Sequence, residues 1–141
     1  MSQAPATLED ARAELARRCS TIEEAYEFML AYAAQGMAND AHNSQVREFL
    51  RKADAALSDL AAFLTGFVRH LQVESDAPYS AFIAMLERDA RDARAAVQIV
   101  LAQPAVSSQL VDNLNASIHV RALLTDLFLI DEILKGQQRA K

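Results

Sequence analysis

The residues best placed to do chemistry lie on the last long apolar stretch, Ser107 to Gly136. At ~100° per residue, Asp112, Asn115, His119 and Asp126 fall within about 60° of one another, so a continuous helix would present them as one polar stripe. A histidine one or two turns from a carboxylate suits a metal ligand, or a base oriented by an acid. Arg121 projects on the opposite side, with Leu114 and Phe128, and has Asn113 and Ser117 beside it. A guanidinium buried among such residues demands a carboxylate, and Asp92 and Glu27 are the expected partners. Asp112, Asn115, His119, Arg121 and Asp126 therefore form the candidate ligand-binding cluster. Its plainer reading is a solvated helix edge, or polar groups turned towards a partner.

No catalytic or metal-binding set is completed elsewhere. Di-iron bundles need Glu-x-x-His on two helices, and the sequence contains neither that motif nor HExxH. Glu23, Glu24 and Glu27 could hold Mg²⁺, and Glu24-Ala25-Tyr26-Glu27 has the E-x-x-E spacing used by all-helical nucleotide pyrophosphohydrolases. Those enzymes add a second acidic pair on the next helix, where Glu48-Phe49-Leu50-Arg51 fails the pattern. Acids in a first helical turn are also favoured by the helix dipole alone. Cys19, next to Arg17 and Arg18, is either a mildly activated thiol or a buried structural one. With no P-loop, dinucleotide fingerprint or nucleophile elbow, no cofactor is expected.

The elements that must position these residues are helical. Thr7 caps a first short helix with a narrow apolar edge of Leu8, Ala11, Leu15 and Cys19. Ser20-Thr21-Ile22-Glu23 reads as a capping box that restarts it, and Gly36 ends the second piece. After a loop at 37–43, Ser44 caps a long helix. Its residues Val46, Leu50, Ala53, Leu57, Leu60, Leu64, Phe67 and Leu71 alternate spacings of four and three, the pattern of a bundle seam. Gly66 within it is expected to allow close helix approach. Pro78 opens the next helix, which runs to about Gln103 before Pro104. Ser107 to Gly136 is expected as one further helix of about 28 residues, or ~42 Å. Its second half is apolar nearly all round, which fits a helix central in a core or covered by another subunit.

The expectation is an all-α fold: an up-down antiparallel four-helix bundle whose first arm is broken into two short helices. One domain spans residues 7–136, with tails at 1–6 and 137–141. The 141 residues include three Gly, three Pro and no Trp, little turn material for any other class. A net charge of −5 argues against nucleic-acid binding, which needs clustered Lys and Arg. One cysteine excludes an internal disulfide and suits a reducing compartment. No signal-peptide pattern opens the sequence and no run is fit to cross a membrane, so a soluble cytoplasmic protein is expected. The functional expectation is a non-enzymatic interaction module, a homodimer with Leu123, Leu127, Ile130 and Leu134 at its interface. The alternatives are a small-ligand bundle using the polar cluster, and a metal-dependent hydrolase.

Overall fold

A computed structural model of the chain describes residues 7–73 and 75–139, with side chains through residue 136. Residues 1–6 and 140–141, parts of the two expected tails, lie outside the described residues. All regular structure among the described residues is helical: α1 (Leu8–Ala34), α2 (Gln45–Leu57), α3 (Leu60–Leu71), α4 (Ala77–Leu101), α5 (Ser108–Ala116) and α6 (Ile118–Arg139). α1 packs mainly on α2 and α5, and α4 on α6, α3 and α2.

The first arm is not broken. α1 runs straight through Ser20, because the buried stripe Leu15, Cys19, Ile22, Ala25, Met29 and Tyr32 keeps helical spacing across the supposed capping box. Tertiary burial of that stripe outweighs a local capping signal. The Oγ1 of Thr7 does accept from the Asp10 N–H at 3.0 Å, and Gly36 adopts φ 68° just past the helix end.

The breaks fall in other places. The long second helix splits at Ser58, which is extended, and Asp59, which is left-handed at φ 55°. The seam residues from Val46 to Leu71 are nevertheless buried on both sides of it. A four-three spacing reports which side faces the core, and it survives a kink that preserves that side. Gly66 does not mark close approach, since an added Cβ would meet nothing within 4 Å. The last helix also divides, at extended Ser117, into α5 and α6. α6 continues past Gly136 to Arg139, so most of the expected C-terminal tail is helix.

Arg18 holds the α2–α3 break. Its side chain is 8 % exposed; Nη1 donates to the carbonyls of Ala56 (3.2 Å) and Ser58 (3.1 Å) and to Asp59 Oδ1 (3.0 Å). Nε donates to Glu14 at 2.8 Å, and the guanidinium lies 4.9 Å from the Phe63 ring centroid. The carbonyls freed where the helix stops are thereby satisfied by a charge that is itself paired.

A second knot closes the other end. Tyr32 Oη donates to the Val106 carbonyl at 2.6 Å, and Ser108 Oγ donates to the Tyr32 carbonyl at 2.6 Å. Asp40 accepts from Arg47 Nε (2.6 Å) and the Val106 N–H (2.9 Å), while Arg47 donates on to the carbonyls of Leu101 and Gln103. Arg47 and the Val106 amide hold the Asp40 carboxyl below its ordinary range.

Removing Arg18 would strand those partly buried carbonyls. Arg18→Ala should destabilise the fold by about 2–4 kcal/mol in a urea titration followed by circular dichroism. Arg17→Ala, whose side chain is 67 % exposed in a simple Glu14 pair, should cost less than about 0.5 kcal/mol. Equal losses would show that the break needs no clamp.

Candidate functional site

The polar cluster expected on one helix is divided by the break at Ser117, and its members part company. Asp112 and His119 are exposed, whereas Asn115 on α5 and Asp126 on α6 are buried. Arg121 is exposed rather than buried among core residues. Its carbonyl accepts from Thr125 Oγ1, and its guanidinium has no partner among the described residues, neither Asp92 nor Glu27. The expectation failed because Phe128, taken as core, is 49 % exposed: the kink turns that side of the helix outward.

Asp126 has the most unusual environment in the cluster. It lies on the edge of α6 that meets α4, and its Oδ2 is buried without a hydrogen-bond donor. Burial, and then the neighbouring carboxyl of Asp89 on α4, push its carboxyl up to about 7 from an ordinary value near 3.8. Two like charges held close in a poorly hydrated place favour the form in which one carboxyl keeps its proton. No cation among the described residues pairs with either acid. Sequence reasoning found Asp126 but missed Asp89, which lay within a run of mixed charges that reads as a solvated face.

Asn115 carries a second anomaly, since both its amide oxygen and nitrogen are buried without partners. A cavity of about 30 Å³ lies nearby in the core, lined by Leu114, Val120, Leu123 and Leu124 with residues of α1, α2 and α4. Its lining is apolar and excludes Asn115, and that volume is room for about one water, not for an organic ligand.

α6 explains its own apolar surface by carrying two stripes. Val120, Leu123, Leu127, Ile130 and Leu134 form the inner one and are buried within the single chain. Leu123, Leu127, Ile130 and Leu134 are thus core residues, not the interface expected of them, because α4 and the rest of the bundle already cover them. The outer stripe is Ile118 (74 % exposed), Ala122, Thr125 and Leu129 (51 %), flanked by Phe128 and by Ile133 (39 %).

The remaining candidates resolve simply. Glu23, Glu24 and Glu27 are exposed, and no three His, Cys, Asp or Glu among the described residues converge on a metal position. Cys19 is buried; burial, then Asp131 and Glu23, push its thiol up to about 12, so it stays protonated and inert. No described helix is long and apolar enough to cross a membrane.

Asp126 gives a stability prediction with a definite sign. An acid with a raised folded pKa keeps its proton where the unfolded chain has lost it, so its contribution is full below about pH 4. It is lost progressively up to about pH 7. Asp126→Asn should therefore gain about 1–3 kcal/mol over the wild type at pH 8 and much less at pH 4.5, by urea titration. The same difference at both pH values would mean that the carboxyl ionises freely.

Comparison with known proteins adds no relative: no family model, no curated protein and no solved structure matches the chain.

Proposed function

We propose that the chain is a non-enzymatic interaction module that acts as a homodimer through the outer stripe of α6. The frame is read as a four-armed antiparallel bundle: α1, α2 with α3, α4, and α5 with α6. The observation that carries the proposal is the exposure of Ile118, Leu129 and Ile133 on one side of a helix whose other side is fully packed. Contiguous apolar surface of this kind costs free energy in water unless something covers it.

Sedimentation velocity with far-UV circular dichroism tests it. Leu129→Glu should convert a dimer to monomers while helicity stays at the wild-type level. Leu127→Ala should instead leave association intact and lower folding stability by about 2–5 kcal/mol, the cost of a core cavity. A wild type that sediments as a monomer at all concentrations would remove the proposal.

A second reading, a bundle that holds a small polar ligand, is favoured by the unpartnered amide of Asn115. Native mass spectrometry of protein purified without additions should then show a discrete added mass that Asn115→Leu abolishes. Bare chain mass in both samples would exclude it.

A further inference from the structure

We propose that the groove between the first half of α1 and the last turns of α6 binds a small ω-amino carboxylate. The ligand's carboxylate meets Arg12 and its ammonium meets Glu23. The site is separate from the outer stripe of α6 and from Asn115, and it does not depend on self-association.

Arg12 is the group that points to a ligand. Facing the last arm from α1, its Nε is buried without a hydrogen-bond partner, and its guanidinium has no ion pair among the described residues. Arg18 and Arg47, by contrast, each meet a carboxylate and two or more further acceptors. A buried N–H of this kind costs free energy until an acceptor reaches it, and an oxyanion matches a guanidinium best.

Arg12 borders a cavity of about 290 Å³, large enough for a small organic molecule, and Glu23 borders the same cavity. Arg12, Ala16, Cys19 and Glu23 follow one another at spacings of four, three and four, so they share one side of α1. Asp131 and Lys135 of α6 lie opposite.

The charges are separated along this groove. Lys135 Nζ already pairs with Asp131 at 2.9 Å. What remains is a positive end at Arg12 and, three helical turns later, a negative end at Glu23, which has no ion pair among the described residues. Leu15, Ala16 and the neutral Cys19 thiol lie between them and suit an aliphatic spacer. A dicarboxylate satisfies Arg12 but turns its second charge towards Glu23. A compact anion such as phosphate leaves both the spacer surface and Glu23 unanswered. A zwitterion with its charges at opposite ends matches the whole groove.

Titrations of the full chain with 6-aminohexanoate, hexanoate and adipate, three probes of similar length, vary only the far end; inorganic phosphate tests the bare anion. Followed by ¹H–¹⁵N NMR, 6-aminohexanoate should move the Arg12 Nε–H signal saturably. Hexanoate should bind about threefold more weakly and adipate about tenfold more weakly. Arg12→Gln should raise the dissociation constant of 6-aminohexanoate about tenfold, Glu23→Gln about threefold, and Arg17→Gln should leave it unchanged. Phosphate or adipate binding as tightly as 6-aminohexanoate would overturn the ligand class, and no saturable shift with any probe would overturn the site. Thermal unfolding supplies an independent check. Without probe, Arg12→Met should melt no lower than the wild type, because it removes an unsatisfied donor, and 6-aminohexanoate should raise the melting temperature of the wild type only. A variant that melts well below the wild type would show that Arg12 is answered within the fold, and would overturn the proposal.

Discussion

The constraint at the centre of the fold is the bend of the second arm, where Arg18 meets the carbonyls that the end of α2 leaves open. A helix that stops inside a protein leaves carbonyls with no partner, and burying them unsatisfied costs more than an ordinary hydrogen bond returns. Arg18 places one guanidinium over the Ala56 and Ser58 carbonyls while Glu14 and Asp59 balance its charge. The bend lets α2 lie along α1 while α3 turns towards α4. At the opposite end, Tyr32, Ser108, Asp40 and Arg47 serve the same purpose for the connections around α1 and α5. The polar groups that are well satisfied in this molecule thus gather where helices end.

The poorly satisfied ones gather on the last arm. Asn115 and Asp126 flank the Ser117 break, and neither has an Arg18 of its own. Native proteins rarely leave such groups unanswered. At Asp126 the deficit lies inside the α4–α6 contact, apart from the bare Ile118 and Leu129 on the outer side of the same arm. At Asn115 no cavity accompanies the deficit, which is why the ligand reading stands second.

The same geometry narrows the chemistry. A protonated thiol, three exposed glutamates and three histidines spread over separate segments bring no three metal-ligating groups together among the described residues. The exposed apolar side chains Ile118, Phe128, Leu129 and Ile133 are concentrated on α6.

Sequence alone determined the helical class, the caps at Thr7 and Ser107, the left-handed Gly36 and the buried seam from Val46 to Leu71, because these rest on local chemistry and periodicity. It also marked Asp126, and it identified α6 as too apolar for one wet face. Tertiary structure alone decided where helices break, since Ser58-Asp59 and Ser117 carry no Gly or Pro, and at Ser58-Asp59 it is Arg18 of α1 that meets the freed carbonyls. It decided as well which of the two stripes on α6 faces inward. Leu127 and Leu129 are equal as amino acids; only the position of α4 and the rest of the core makes one buried and the other bare.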